Sequence, residues 1–447
     1  MKELPIEFFN RMKELLSEEE YSQFVIDCEK SPYRGIRINT LKCSAEKVKL
    51  HLDYVNEKTP FSDNGYYIPA DIKSIGDEPF HHAGAFYVQE PSACSAVTVL
   101  NVQKGDRVLD LCAAPGGKST QIAAELGGTG LLWSNEIVKT RSTVLLSNIE
   151  RMGIRNAVVS CCRPDVLCEN LREYFDKVIV DAPCSGEGMF RKEPDTAAEW
   201  SPEHSLSCGE RQLAVLNSAA EALKAGGVMV YSTCTFSACE NEMVVERFLE
   251  EHDEFELVDC GVEFGRRSMK KAVRILPEDG GEGHFAAKFF KKGELIKTTY
   301  THGANEKFSE ISSVLKLYDE ICTERALGEN FIKIGDKVLL LPEIELPEMK
   351  GLGVIRAGVL FGELKKNRVE PCHAFYMACK KNDLRSYVDY SYKDSRLADF
   401  YHGEEIEIDK CCKGFTAVLV EGVTTGFGKA SAGTLKNRYP KGLRSKR

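Results

Sequence analysis

The sequence predicts an α/β protein built on a doubly wound, Rossmann-like sheet, with a small N-terminal region before it and α+β and β-rich domains after it. Three observations carry that expectation. From His81 to about Lys292 short β-rich runs alternate with helix-period stretches: "DRVLDLCAAPGGKSTQIAAEL" reads as strand, loop and helix, and "GLLWSNEIVKTRSTVLLSNIERMG" repeats the plan. "AVVSCC", "KVIVDAPC" and "GVMVYSTC" supply three more strand ends, and five strands alternating with helices imply a mostly parallel sheet whose site lies at the strands' C-terminal ends. Finally, the runs at 178–180 and 228–231 each open into a polar loop that holds a cysteine, Cys184 and Cys234, which suggests two sulfurs meeting above one sheet.

In chain order, residues 1–80 read as a small N-terminal region. It opens on a helical period with Leu4, Phe8, Met12, Leu15 and Leu16 on one face, and continues into a turn-rich "SDNGYYIP". Residues 81–292 form the doubly wound domain, with "HFAAKFFKK" as an additional edge strand. The polar stretch at 291–307 marks a boundary. Residues 293–385 read as an α+β domain, from the helix-like "FSEISSVLKLYDEICTE" and the short strands "KVLLLP" and "VIRAGVLFGEL". Residues 386–447 read as a small β-rich module with strand candidates "EEIEI" and "FTAVLVEG".

Composition narrows the function classes. The chain has 447 residues, 43% of them hydrophobic, so it can bury several cores. No apolar run approaches the roughly 20 residues that cross a bilayer, and the charged start has no secretory core, so a cytoplasmic protein with no membrane partner is expected. The 17 cysteines include no C-x-x-C pair, which predicts reduced thiols and no metal. A net charge of −9 argues against coating nucleic acid through an overall field. From Gly422 to the end, however, seven Lys or Arg occur with no acid, a phosphate-facing patch with Tyr439 interleaved. "RGIRINTLK" and "GRRSMKK" are further basic islands, and Arg191 with Lys192 offers two more phosphate contacts. Nothing demands more than a monomer.

The glycine loop "DLCAAPGGKST" nearly fits two nucleotide motifs and satisfies neither. A phosphate loop needs glycine where Cys112 stands, and the dinucleotide fingerprint G-x-G-x-x-G is absent. A strand ending in Asp110, a small-residue turn and a helix start instead suit a ligand that approaches the backbone without phosphates. S-adenosylmethionine is such a ligand, and its ribose hydroxyls want a carboxylate at the next strand end, where Glu136 lies. The cysteines then gain a task. Carbon 5 of cytosine takes a methyl group only after a thiolate adds at carbon 6, a nearby carboxylic acid favours that addition, and a base must later remove the carbon-5 proton. Asp181, Cys184 and Cys234 match that list.

The blocks "DLCAAPGGKS", "SNEIVKTRSTVLLSNIERMG", "VDAPCSGEGMFRK" and "YSTCTFSACENE" resemble those of the RNA cytosine-5 methyltransferase family, the Sun and nucleolar-protein group. "IRAGVLFGELKKNRVEPCHAFYMA" and "GFGKASAGTLKNRYPKGLR" are similar to the two C-terminal modules of its bacterial ribosomal RNA branch, RsmF, the second a PUA-like RNA-binding fold. The resemblance makes Cys234 the nucleophile, Cys184 the promoter of product release and Asp181 the acid facing both cytosine and cofactor. It gives S-adenosylmethionine the loop residues Cys112, Ala113, Ala114, Pro115, Gly116, Gly117 and Lys118, then Glu136 and Arg141. It implies RNA binding by residues 1–80 and small-subunit ribosomal RNA as partner; transfer RNA as substrate, a non-covalent RNA methyltransferase and an RNA-binding ribosome assembly factor are the competing readings. Where relatives carry an acid or amide facing adenine, this chain reads "SCCRPDV", so that contact falls at Arg163 or Asp165 and the sequence leaves both open.

Overall fold

A computed structural model describes residues 4–294, 308–366 and 368–445. Most of the expected boundary stretch at 291–307, and the last two tail cations Lys446 and Arg447, lie outside them.

The N-terminal region opens on two helices, α1 (Ile6–Leu15) and α2 (Glu18–Cys28), because Leu16 is extended and Ser17 starts a new helix with a capping box shared with Glu20. Phe8 and Met12 of α1 pack with Phe190, Trp200 and Phe236, so this opening walls the loops that carry the cysteines. A three-stranded antiparallel sheet follows, with β1 (Gly35–Ile38) between β2 (Gly65–Tyr67) and β3 (Phe86–Gln89), accompanied by α3 (Ala45–His51) and the short α4 (Pro79–His82).

The doubly wound expectation holds. Strands β4 (Arg107–Asp110), β5 (Leu131–Asn135), β6 (Ala157–Ser160), β7 (Phe175–Asp181) and β8 (Leu223–Thr233) run parallel in the order β8-β7-β4-β5-β6. The order reverses between β4 and β7, which opens a crevice at their C-terminal ends. Helices α5 (Ser95–Leu100), α6 (Gly117–Leu126) and α7 (Lys139–Arg151) cover one face through Val97, Ile122 and Leu145. α8 (Pro164–Asn170), α10 (Pro202–Ala222) and α11 (Glu242–Glu251) cover the other through Leu167, Leu213 and Val244, while α9 (Pro194–Glu199) sits within the long β7–β8 connection. Burial on both faces explains why these strands read as continuous apolar runs.

One strand departs from expectation. Beyond β8 come β9 (Phe255–Val258), β10 (Arg266–Ser268), β11 (Ala272–Ile275) and β12 (His284–Lys291), and β12 is interior rather than an edge. It runs antiparallel between β8 on one side and β9 with β11 on the other. The physical reason lies in its residues: Phe285, Ala287 and Phe289 enter one core and Ala286 the other, a composition suited to the middle of a sheet.

After α12 (Ile311–Ile321), strands β13 (Phe331–Ile334) and β14 (Lys337–Leu340) begin a four-stranded sheet. "VIRAGVLFGEL" divides between sheets: β15 (Val354–Ala357) adds antiparallel to β6 at the far edge of the central sheet, whereas β16 (Val359–Lys365) joins β14 and β17 (Arg368–Pro371). Gly358 makes the turn at φ +64°, and any side chain there would strike the Leu340 carbonyl. Helix α13 (His373–Ala378) then leads to a five-stranded sheet of β18 (Tyr387–Tyr390), β19 (Ile406–Glu407), β20 (Gly414–Val420), β21 (Val423–Ser431) and β22 (Thr434–Asn437), with α14 (Ser395–His402) between β18 and β19. Its core merges with that of the N-terminal region, Val418 and Leu435 sharing a cluster with Ile36 and Val48. Tyr439 belongs to that cluster, buried with its hydroxyl 2.9 Å from His82 Nδ1, so it ties two modules together and is not an aromatic interleaved among phosphate-facing cations.

Candidate active site

Because β7 and β8 pair in parallel with Asp181 opposite Ser232, the loops that leave them start side by side. The two sulfurs predicted to meet do so, Cys184 Sγ lying 3.2 Å from Cys234 Sγ. Two buried carboxylates hold the loops in that register. Glu240 accepts from the Ser185 amide (2.8 Å), the Ser185 hydroxyl (2.5 Å), the Gln212 amide (3.0 Å) and, more weakly, the Thr235 hydroxyl (3.4 Å). Ser185 and Thr235 are the residues that follow the two cysteines. Glu187 accepts from the Phe236 amide and the Trp200 indole, each at 3.0 Å, and the Gly188 amide donates to the Cys234 carbonyl at 2.9 Å. A Cβ at Gly188 would lie 3.0 Å from that carbonyl and 2.7 Å from the Gly283 carbonyl, so the loops close only over glycine. Sequence reasoning missed both glutamates; the signal available was an acid set among small polar residues just after a buried strand.

The hydrogen bond to Cys234, then burial and the nearby Cys234 and Glu240 charges, push the Cys184 thiol well above its ordinary pKa. Beside them Asp181 accepts from Lys118 Nζ at 2.7 Å and from the Ser232 hydroxyl at 2.9 Å. Burial pulls the Lys118 pKa down, but the Asp181 pair, followed by Cys234 and Asp110, more than reverses it, so this buried amine stays charged.

The loop between β4 and α6 forms the second half of the site. Asp110 accepts from the Ser119 hydroxyl at 2.6 Å through one oxygen, while its other buried oxygen has no protein partner. Burial, opposed by the Ser119 bond, pushes its pKa up to about 7. Burial also raises the Cys112 thiol strongly. Gly116 turns at φ +115° into the first turn of α6, which carries Lys118. Glu136, 2% exposed at the end of β5, accepts from the Val138 amide at 2.9 Å and lies 3.4 Å from Arg141, whose other nitrogen donates to the Ala114 carbonyl at 2.9 Å. The structure thus brings Glu136, Arg141, the loop, Asp181 and both cysteines to one end of the sheet. Arg163 and Asp165 follow β6 at the same end of the sheet and pair with each other at the start of α8, their side chains 70% and 54% exposed. Among the described residues no group of three or more His, Cys, Asp or Glu is arranged to hold a metal ion.

Several cations expected to face phosphate have other work. Arg37 is buried and donates to the Gly117 carbonyl (3.0 Å) and the Thr120 hydroxyl (2.7 Å), bracing α6. Arg34 serves the Ala70 and Ile72 carbonyls, and Lys42 those of Ala83 and Thr424. The Arg191 side chain is only 7% exposed, donates to the Lys30 and Ser31 carbonyls and faces Glu282 at 3.6 Å, so it is structural; Lys192 beside it is exposed. Arg266 pairs with Glu20 and Glu278, and Arg267 with Asp259. Guanidinium groups carry five donors, and the loop carbonyls of the interior use them. Lys429, Lys436, Arg438 and Lys441 of the tail remain exposed.

Comparison with known proteins places this site in a family. Family models match end to end: the N-terminal domain of 16S rRNA methyltransferase RsmF over residues 4–91, 16S rRNA methyltransferase RsmB/F over 97–290, the RsmF rRNA methyltransferase first C-terminal domain over 318–379 and the methyltransferase RsmF PUA domain over 388–445. The chain is 32% identical to the ribosomal RNA small subunit methyltransferase F of Aliivibrio fischeri (strain MJ11), over 98% of this chain and 97% of that protein. It belongs to the RsmF family of ribosomal RNA methyltransferases. The RsmF protein of Vibrio parahaemolyticus serotype O3:K6 (strain RIMD 2210633) is 33% identical over 94% of this chain and 93% of its own. Among solved structures, PH0851 superposes with a TM-score of 0.61 at 29% identity, over 64% of this chain and 66% of that one. NSun6 from Pyrococcus horikoshii with SFG shares the fold at 22% identity, with a TM-score of 0.58 over 65% of this chain and 99% of that one. The RsmF assignment accounts for the mixed α/β core and for the PUA module at the C-terminus. No helix among the described residues is long and apolar enough to cross a membrane.

Proposed function

We propose that this RsmF-family protein methylates carbon 5 of a cytosine in small-subunit ribosomal RNA, through a covalent bond from Cys234 to ring carbon 6. The observation that carries the reading is the pair of sulfurs 3.2 Å apart beside the Asp181–Lys118 ion pair. A methyltransferase acting on an oxygen or nitrogen needs no such pair. S-adenosylmethionine supplies the methyl group when bound, held by the backbone of the loop at 112–118, by Glu136 facing the ribose hydroxyls and by Arg141. Arg163 or Asp165 would meet its adenine end once their exposed pair opens. The acid at the end of β5 and the unpartnered Asp110 oxygen under the loop fit a ligand with hydroxyl and ammonium donors.

When the Cys234 sulfur adds at carbon 6, ring nitrogen 3 takes a proton, and the Asp181–Lys118 pair holds that proton where it is needed. Methyl transfer then leaves carbon 5 with a proton to lose before the sulfur can depart. Cys184, adjacent to that sulfur, serves this release as its thiolate: it takes the carbon-5 proton, the C5–H pair re-forms the C5–C6 double bond, and the S–C6 pair leaves with the Cys234 sulfur. The target base must first leave its stack, because stacking hides both ring faces. In the same reading the chain divides at 1–80, 81–292, 293–385 and 386–447, with the last module and its exposed cations contacting phosphate.

Glu136→Ala removes charge-assisted bonds of roughly 1.5–3 kcal/mol, so S-adenosylmethionine should bind about 10- to 100-fold more weakly by titration calorimetry while RNA affinity is unchanged. Equal affinity would take Glu136 out of the site. Changing Lys429, Lys436 and Lys441 together to glutamine should lower RNA affinity and flatten its dependence on salt, by about 2 in the log–log slope if each meets one phosphate of a single strand. An unaltered slope would remove the tail from the interface. Cys184→Ala incubated with ribosomal RNA, and separately with transfer RNA, should trap only the former.

A further inference from the structure

The chemistry above leaves His284 unused. It opens β12, and extending the register one step past Phe285 and Thr233 puts His284 opposite Cys234, the first residue after β8. Alternate strand residues share a face, so His284 follows Ala286, and Cys234 follows Ser232, whose hydroxyl meets Asp181. The imidazole is 3% exposed, and its Nδ1 lies 3.1 Å from Ser92 Oγ.

The hydrogen bonds settle its tautomer. Ser92 Oγ lies 2.6 Å from Glu90 Oε2, and Glu90 also accepts from the amides of Ser92 (3.0 Å), Ala93 (2.9 Å) and Glu282 (2.9 Å), so its oxygens act as acceptors. The single hydroxyl proton of Ser92 therefore goes to Glu90, and the Ser92 oxygen accepts from His284 Nδ1–H. The lone pair is left on Nε2. A nucleophile beside a base that a third group orients is the arrangement that activates thiols elsewhere in enzymology.

We propose that His284, held by Ser92 and Glu90, accepts the thiol proton of Cys234 as that sulfur adds to cytosine; this inference rests on the covalent cytosine-5 reading. In that step the S–H pair stays on sulfur and forms the S–C6 bond, the C5–C6 π pair moves into the ring, and nitrogen 3 takes its proton from the Asp181–Lys118 pair. The thiol proton resides on Nε2 and returns to sulfur when the S–C6 bond breaks. Charged groups act on the ring from three elements: Glu90 before α5, Lys118 on α6 and Asp181 on β7. Arg274 on β11 is engaged by Glu242. Burial, then the Lys118 charge, lowers the His284 pKa to about 4 against the opposing pull of Glu90 and Asp181, so the ring is neutral and able to take a proton at pH 7.

The test follows covalent adduct formation in the full-length Cys184→Ala protein with S-adenosylmethionine and small-subunit ribosomal RNA, from about pH 6 to about pH 9. The parent rate should be flat across this range. Adding His284→Asn, which keeps a donor to Ser92 but removes Nε2, should slow the adduct by about 10²- to 10⁴-fold near neutrality. The loss should shrink as the pH rises, because a sulfur that has already lost its proton to solvent needs no base. Adding Ser92→Ala instead should give a smaller loss with the same slope. An unchanged rate in both variants, or a loss equal at every pH, would overturn the proposal, since packing alone predicts a uniform loss. A parent that forms no adduct would instead overturn the covalent reading on which it rests.

Discussion

On the covalent reading, Cys234→Ala should abolish methyl transfer to RNA, with an expected loss on the order of 10⁶-fold, the scale on which enzymes lose turnover when a covalent nucleophile is removed. The size follows from the ring chemistry: without an addition at carbon 6, carbon 5 lacks the electron density to take a methyl group. The same variant should keep its affinity for S-adenosylmethionine, because the Cys234 sulfur bonds Cys184 Sγ, whereas Glu136 is held by the Val138 amide and Arg141 by the Ala114 carbonyl. Tritiated methyl incorporation beside a calorimetric titration checks both halves. Appreciable turnover in Cys234→Ala would mean that the thiol is not the nucleophile.

Glu240→Ala is the second large effect, and it needs no assumption about the reaction. The variant leaves the Ser185 amide without its buried acceptor and takes one of two partners from the Ser185 hydroxyl and the Gln212 amide, which keep Thr235 and the Pro183 carbonyl. An orphaned donor costs about 1–3 kcal/mol, so the protein should lose at least that much by denaturant titration. Ser185 and Thr235 adjoin the two cysteines, so activity should fall further than stability alone explains, and Glu240→Gln should restore part of both. An alanine variant of wild-type stability and activity would show that the loops hold their register by other means.

How much of this was written in the sequence depends on the distance over which each feature is encoded. The alternation of apolar runs and helical periods is local, and it specified the parallel sheet and the crevice beside β4. The two cysteines were legible for the same reason: each closes a β-rich run, and parallel neighbours end at the same edge. The Asp181–Lys118 pair was not, since the two residues come from different crossover units and meet only when the sheet forms. Charge was the least transferable signal. Arg37 and Arg191 look like solvated cations in a linear reading, yet the fold consumes their donors on carbonyls of Gly117, Lys30 and Ser31. Tyr439 likewise reads as exposed among basic neighbours but completes a core that includes residues from the other end of the chain. The interior placement of β12 depends on partners on both sides that its own run does not name.

The most direct measurement of the central claim is denaturing gel electrophoresis of Cys184→Ala after incubation with S-adenosylmethionine and unmodified small-subunit ribosomal RNA, beside the Cys184→Ala/Cys234→Ala double variant. The account predicts a slow RNA-linked band in the single variant that is missing from the double. Absence of the band from both, while the wild-type protein still methylates the RNA, would contradict it.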